Sequence, residues 1–385
     1  MMRAIDDAPP RATASEDPIR VALVGPYPGP GQSPVGGVEV SLARLARGLA
    51  ESGVDVSVIT PGERAEWADG PVSVLRVPSE KRLALVRGFR RWKKEVAHVV
   101  RRVRPDVIHG LGLPAAGVAA MHGGYEAPRV LTVHGNDSRE NLIASGRPAM
   151  RARTALRRAY SKSAARRADV VVGVHPDWQI NLPVGVERFV YIPNAVDSAY
   201  FESDHGPERG RVLFCGGGRR VKGWDILQLA WEEVARAVPE ARLDVVGWPD
   251  QAGQDLGGNS SVIVRGWLSR DETRAAMKRA QALVIPSRYE VAPMVLCEAW
   301  GLGLPVVAAA VGGIPSLAKG AATLVPAEDP ASLARALISV LTEETDTSKL
   351  VAEGRRRAQA FTSEQVVAAH IDLYRRLRDE RAGHR

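Results

Sequence analysis

"ALVIPSRYEVAPMVLCEAWGLGLPVVAA" runs from Ala282 to Ala309. An apolar run ends in Pro-Ser, a short loop follows, a helical stretch opens near Met294, and a second Val-rich run closes the unit. Strands joined through a helix lie parallel, because the helix carries the chain back to the edge where it began. Both runs are continuous in Val, Leu, Ile and Ala rather than alternating with polar residues, which indicates a sheet covered on both faces. Two acids stand in this apolar unit, Glu290 in the loop and Glu298 about one turn inside the helix.

The same alternation extends outward. Seven strand-like runs precede residue 193: "RVALVG" at Arg20, "VDVSVIT" at Val54, "VSVLRV" at Val72, "DVIHG" at Asp106, "RVLTVHG" at Arg129, "DVVVGV" at Asp169 and "RFVYIP" at Arg188. A Pro-, Gly- and charge-rich segment, Pro193 to Gly210, interrupts the series. It resumes with "RVLFCG", "RLDVVG", "SVIVRG", "ALVIPS", "PVVAA" and "ATLVP". The pattern predicts an α/β protein with two doubly wound, Rossmann-like parallel-sheet domains, with ligands in the crevice outside the carboxyl ends of the strands. Expected boundaries are a tail over 1–18, domains over 19–196 and 197–360, and a closing helix over 361–385, "FTSEQVVAAHIDLYRRLRDE".

The chain has 385 residues, 45% hydrophobic and 25% charged, enough for two cores. The first eighteen residues carry acids and prolines without an apolar stretch, so secretion is not expected, and no run of about eighteen apolar residues suggests a spanning helix. A cytoplasmic protein is the expectation. Cys215 and Cys297 sit in apolar surroundings and read as buried thiols without chemistry. The net charge of +8 is uneven: Lys81 to Arg104 holds ten Lys or Arg against one Glu, and Arg147 to Arg167 holds eight with no acid. Both have helical spacing. A basic face of this kind is a solvated surface or a contact with an anionic membrane. Nucleic acid is not expected, since no binding motif is present and aromatics are 5%.

Two loops carry chemistry. In the first domain "GGVEVSL" opens a helix at about Gly37, and glycines at a helix start let free backbone N–H groups and the helix dipole face an anion. The dinucleotide spacing Gly-x-Gly-x-x-Gly is absent, which argues against a nicotinamide oxidoreductase. In the second, "LFCGGGRRVKGWDILQLA" places glycines, Arg219, Arg220 and Lys222 directly after a strand, where cations can meet a diphosphate.

From Arg20 to about Leu377 the chain resembles family 4 of the glycosyltransferases, retaining enzymes of the GT-B fold. The resemblance is carried, in order, by "GGVEVSLARLARGLAESGVDVSVIT" (Gly36–Thr60), "RPDVIHG" (Arg104–Gly110), "LTVHG" (Leu131–Gly135), "IPNAVD" (Ile192–Asp197), "VKGWDIL" (Val221–Leu227), "VIVRGWLSRDE" (Val262–Glu272) and "PSRYEVAPMVLCEAWGLGLPVVA" (Pro286–Ala308).

The resemblance implies transfer of a hexose or hexosamine from a nucleoside diphosphate sugar, most often a UDP-sugar, to a hydroxyl of a small-molecule, saccharide or lipid acceptor. Glu290 then accepts hydrogen bonds from donor-sugar hydroxyls and Glu298 holds the ribose, a task suited to carboxylates because each accepts two hydrogen bonds from a vicinal diol. Lys222 matches the phosphate-binding lysine, and Gly36 and Gly37 match the loop touching the phosphates from the other side. Backbone N–H groups of Met294 and Val295 face the diphosphate. His134 matches a histidine near the transferred sugar, with His109 a weaker match. Gly266 and Trp267 resemble the segment lining the base pocket, where Trp267 has packing as its alternative role. The helix over 361–385 is expected to pack back toward the first domain.

Two departures stand out. The family commonly has Gly-Arg at Gly216 and Gly217, so Gly217 holds the place of a donor-binding arginine, and Arg219 or Arg220 is the candidate replacement, with Arg219 favoured. The common Glu-Gly-Phe-Gly is here Glu290, Val291, Ala292, Pro293, and Pro293 has no N–H to donate. Neither a metal nor another cofactor is expected, since no Asp-x-Asp and no cluster with ligand spacing occurs. Retention is expected through same-face attack guided by the leaving phosphate. The alternative is a noncatalytic sugar-nucleotide-binding protein on the same scaffold. For the acceptor, "GNDSRENLIASGRP" (Gly135–Pro148), with Asp137 and Glu140, and the basic helix from Lys81 are the candidate contacts.

Overall fold

The computed structural model describes residues 18–34, 36–80, 87, 89–135, 148–177, 179, 182, 188–202, 205–247 and 260–383, without the side chains of 148–151. The expected tail, the start of the Lys81 helix and the segment holding Asp137 and Glu140 lie outside these residues.

Strands β1 (Arg20–Val24), β2 (Asp55–Pro61), β3 (Ala65–Asp69), β4 (Val72–Val77), β5 (Val107–Leu111), β6 (Arg129–Val133), β7 (Val170–Gly173) and β8 (Phe189–Tyr191) form one sheet, in the order β3-β4-β2-β1-β5-β6-β7-β8. Strands β9 (Arg211–Cys215), β10 (Arg242–Val246), β11 (Val262–Gly266), β12 (Ala282–Ile285), β13 (Val306–Ala309) and β14 (Thr323–Val325) form a second, in the order β11-β10-β9-β12-β13-β14. The helices are α1 (Gly37–Glu51), α2 (Arg90–Val103), α3 (Ala115–Met121), α4 (Pro148–Ala165), α5 (Trp224–Ala237), α6 (Arg270–Arg279), α7 (Met294–Leu302), α8 (Ile314–Ala318), α9 (Pro330–Leu341), α10 (Ser348–Ala358) and α11 (Ser363–Gly383).

The apolar runs predict thirteen of these strands. The exception is β3, "AEWAD", which pairs antiparallel with β4 and makes the first sheet mixed rather than wholly parallel. Its residues are exposed or half-buried, as an edge strand allows, so no apolar run announces it. It is held instead by the Arg76 guanidinium 4.7 Å from the centre of the Trp67 ring and by an Arg102–Glu66 pair at 2.8 Å. The basic helix begins at Arg90 and buries Trp92, Val96, Val99 and Val100, leaving Arg90, Arg91 and Lys94 exposed.

In each sheet the strand order reverses once: β1 lies between β2 and β5, and β9 between β10 and β12. At such a reversal the loops leaving two neighbouring strands diverge and open a crevice. Those loops are "GPYPGPGQSP" and Gly112–Pro114 in one sheet, and Gly216–Gly223 and Pro286–Pro293 in the other.

Each sheet is covered on both faces. Leu42, Leu45 and Leu49 of α1 pack with Val366, Val367, Ile371, Tyr374 and Leu377 of α11 against one face of the first sheet. Residues of α2, α3 and α4 cover its other face. The last helix therefore belongs to the core of the first sheet although it follows the second in sequence. The two crossings of the chain run side by side: Val196 N–H donates to the Phe361 carbonyl at 2.7 Å, and Ser363 N–H to the Val196 carbonyl at 3.1 Å.

Candidate active site

A cleft of about 560 Å³ separates the sheets at their reversal points. From the second sheet, the β9 loop turns tightly through Arg220–Lys222 into Gly223, which caps α5. Gly223 has φ 71°, and a Cβ there would stand 1.9 Å from the Pro286 carbonyl oxygen, so only glycine lets this turn touch the exit of β12. That contact sets Lys222 beside the next loop. Its Nζ donates to Glu290 Oε1 at 2.6 Å, and Ser287 Oγ donates to the same oxygen at 2.7 Å. Arg288 clamps the two loops together: it pairs bidentately with Asp225 at 2.7 and 2.8 Å and donates to the Arg220 carbonyl at 2.8 Å. The Asp225 carboxyl is held below its usual range by that hydrogen bond.

Helix α7 begins directly after this loop, with Pro293 as its N-cap and no side-chain capping bond. The first N–H groups of the helix, those of Met294 and Val295, thus open at the cleft, where both residues line the wall. Opposite them is the start of α1, also without a side-chain cap. A Cβ on Gly37 would lie 3.7 Å from Met294 Sδ. Two helix N-termini therefore converge on one space, each bringing partial positive charge. Gly36 is the exposed N-cap of α1, and Arg219 lines the cleft beside Lys222.

Glu298 lies deeper. It is outside the cleft wall, and one of its two oxygens, Oε1, accepts from Arg44 Nη2 of α1 at 2.6 Å. Arg44 Nη1 donates to the Ala195 carbonyl at 2.6 Å. The side chains of Arg44 and Glu298 are 5% and 9% exposed, making this a buried ion pair between the two sheets' elements. Arg44 carries no signal of its own in sequence, since one arginine on an amphipathic helix usually marks its wet face.

On the first sheet, His134 follows β6 at the cleft floor. Its Nδ1–H donates to Asn194 Oδ1 at 3.2 Å, and Asn194 Nδ2 donates to the Ala292 carbonyl at 3.2 Å, tying the histidine to the Glu290 loop. Burial pushes His134 down to about 4, so the ring is neutral. His109 is not a cleft residue. It is fully buried, with Nδ1 and Nε2 each 2.6 Å from the hydroxyls of Tyr374 and Thr132, and its ring stacks on His370 at 5.6 Å.

Besides Glu298 and Gly36, four expected donor contacts stand off the cleft wall. Gly217 has φ 59°, its N–H points at the Val246 carbonyl at 3.4 Å, and a Cβ would meet the Gly247 carbonyl oxygen at 2.4 Å. An arginine cannot occupy that position here without moving the β10 exit. Arg220 is exposed and does not line the cleft. Gly266 ends β11, accepting from Gly247 N–H at 2.8 Å, and Trp267 after it is 64% exposed, so packing is not its role. Both cysteines are free thiols, and burial pushes Cys297 up to about 12. Among the described residues no group of three or more His, Cys, Asp or Glu could hold a metal ion.

Comparison with known proteins matches this architecture. The profile described as glycosyltransferase family 4 fits residues 35–200, and that described as glycosyl transferases group 1 fits residues 209–343. A 2-deoxystreptamine N-acetyl-D-glucosaminyltransferase of Streptomyces fradiae is 32% identical, over 83% of this chain and 85% of that protein. The chain belongs to glycosyltransferase family 4. D-inositol 3-phosphate glycosyltransferase 1 of Catenulispora acidiphila is 28% identical to this family 4 protein over 93% of the chain and 96% of the relative. The GT-B fold is shared with Anabaena HepE, solved in complex with UDP and glucose: TM-score 0.67, 19% identity, 92% of this chain and 99% of that one. The glycosyltransferase is thus assigned by family and fold.

Proposed function

We propose that this glycosyltransferase moves a hexose or hexosamine, with retention of configuration and without a metal, from a nucleoside diphosphate sugar to an acceptor hydroxyl. The observation that carries the reading is the convergence on one cleft of Lys222, Arg219 and the N-termini of α1 and α7. Departure of a nucleoside diphosphate leaves oxocarbenium character on the sugar and negative charge on the leaving phosphate. Preorganised cations and N–H groups stabilise that charge as it develops.

In this reading the diphosphate lies between Met294, Val295 and Lys222 on one side and Gly36 and Gly37 on the other. Binding moves Lys222 from Glu290 to the phosphate and frees Glu290 for a sugar hydroxyl. The anomeric C–O bond to the phosphate breaks, the acceptor oxygen bonds to carbon on the same face, and the acceptor proton passes to a phosphate oxygen. Neutral His134, held in one tautomer by Asn194, orients the sugar without adding charge. Glu298 takes the ribose. Uridine is the base we favour, on the support of HepE's bound UDP and glucose. A cytoplasmic location fits a supply of nucleotide sugars.

Relatives named for an inositol phosphate and an aminocyclitol as acceptors support a polyhydroxylated small molecule. No described helix is long and apolar enough to cross a membrane. The second reading, binding without turnover, takes its support from Gly217, yet Arg219 stands in the cleft to supply the missing charge. Calorimetry with a panel of nucleoside diphosphates, before and after excess chelator and beside Lys222→Ala, tests the proposal. Selective binding that ignores chelator and weakens in the variant is expected, with donor-dependent transfer to a hydroxyl acceptor. Binding by no member would remove the enzyme reading.

A further inference from the structure

We propose that Arg44 is a positioning residue for the donor nucleoside: from the first domain it fixes the orientation of Glu298 on the second, so nucleotide binding depends on the two domains being apposed. The inference rests on the donor-site reading above.

Arg44 is held at both ends of its guanidinium, by Glu298 Oε1 through Nη2 and by the Ala195 carbonyl through Nη1, each at 2.6 Å. A guanidinium is planar and donates in fixed directions, so two anchors fix its plane and thereby the carboxylate it meets. Only Oε1 is used; no described residue bonds the other oxygen, which leaves it for a ligand hydroxyl.

The spacing repeats this contact along both helices. Gly37 and Arg44 are seven positions apart, two turns on one face of α1, while Met294 and Glu298 are four apart, one turn on α7. The two helices therefore meet twice, at Gly37 with Met294 by the cleft and at Arg44 with Glu298 behind it. A carboxylate so buried needs an opposite charge, and ribose hydroxyls carry none. Arg44 supplies it from across the domain boundary, beside the linker residue Ala195, without reaching the Lys222 side of the cleft.

The test is UDP binding by calorimetry on the full chain, with inorganic pyrophosphate as a second probe. Arg44→Met is expected to weaken UDP about tenfold or more, the scale of a hydrogen bond to a charged group. Arg44→Lys should recover part of the loss, because it restores the charge without the fork. Pyrophosphate, which needs only the Lys222 side, should bind both variants as it binds the wild type. In turnover, KM for the donor should rise more than kcat falls. Adding Arg44→Met to Glu298→Gln should cost little further, which also covers a single variant that fails to fold.

Unchanged UDP affinity in Arg44→Met would overturn the inference. So would equal losses for UDP and pyrophosphate with a lowered Tm, the mark of a merely structural pair. A wild-type protein that binds no UDP fails earlier, at the donor reading itself.

Discussion

Two ion pairs of equal length, 2.6 Å, share this molecule, and they are built differently. Lys222–Glu290 lies within one domain, between two loops leaving neighbouring strands, and its cation is 22% exposed at the cleft. Arg44–Glu298 joins two domains and is nearly sealed, with side chains 5% and 9% exposed. On the proposed function the first parts when a phosphate and a sugar arrive, since each partner gains a new one there. The second cannot part cheaply, because separating a buried pair leaves a charge uncompensated. One pair is poised for exchange, and the other sets geometry.

The sharpest way to break this contrast is Lys222→Ala. Loss of the cation at the leaving phosphate should lower turnover by roughly a hundred- to a thousandfold, the scale of removing one stabilising donor. Steady-state transfer assays check it, and a rate within tenfold of wild type would displace Lys222 from the reaction.

The two acids should separate next. Glu298→Ala should weaken UDP by about 1.5–3 kcal/mol, whereas Glu290→Gln should leave UDP affinity near wild type and reduce turnover. Calorimetry beside initial rates decides, and the same profile for both variants would erase the distinction.

Gly217→Arg writes the family's common residue back into the chain. With φ at 59° and a carbonyl 2.4 Å from the added Cβ, it should cost about 1–3 kcal/mol of stability and restore no activity. Urea denaturation measures the cost, and a stable, faster enzyme would show that the turn yields.

Acidity separates the buried histidines of the first sheet from the ion pairs. Burial pushes His134 and His370 down to about 4 and His109 well below its ordinary 6.5. All three are neutral in the folded protein, and the unfolded chain takes up their protons first. Stability should therefore be full above about pH 6.5 and fall between pH 6.5 and 4, by up to about 1.4 kcal/mol per pH unit for each histidine. Urea midpoints across that range should fall less steeply in His370→Asn, and an unaltered slope would remove His370 from the effect.

The smallest effect concerns the basic face. Charge reversal at Arg90, Arg91 and Lys94 should change stability by no more than about 0.5 kcal/mol. If this face meets anionic membrane, sedimentation with phosphatidylserine vesicles should be lost in the variant. The apolar side of α2 is already buried under the first sheet, so any such contact is electrostatic.

Thirteen strands were legible because a doubly covered parallel sheet requires continuous apolar runs, and sequence displays them directly. Strand β3 was not, because an edge strand held by a cation–π contact and an ion pair needs no such run. Lys222, Glu290 and Met294 could be placed at the cleft because each follows a strand that ends at the reversal point of the second sheet, and His134 because it directly follows β6, one strand beyond the reversal of the first. Arg44 could not, since its meaning depends on a helix from the other domain, 254 positions away.

The sequence by itself determined two Rossmann-like sheets, the order of their loops and the family they belong to, since local apolar pattern and turn chemistry specify these without reference to distant residues. Only the tertiary structure decided which cation meets which acid and why position 217 stays glycine, and it supplied the side chains by which the last helix, expected from the resemblance to return to the first domain, completes that core. Those outcomes depend on where two separately folded surfaces touch, and a contact between domains leaves no periodic trace in either one.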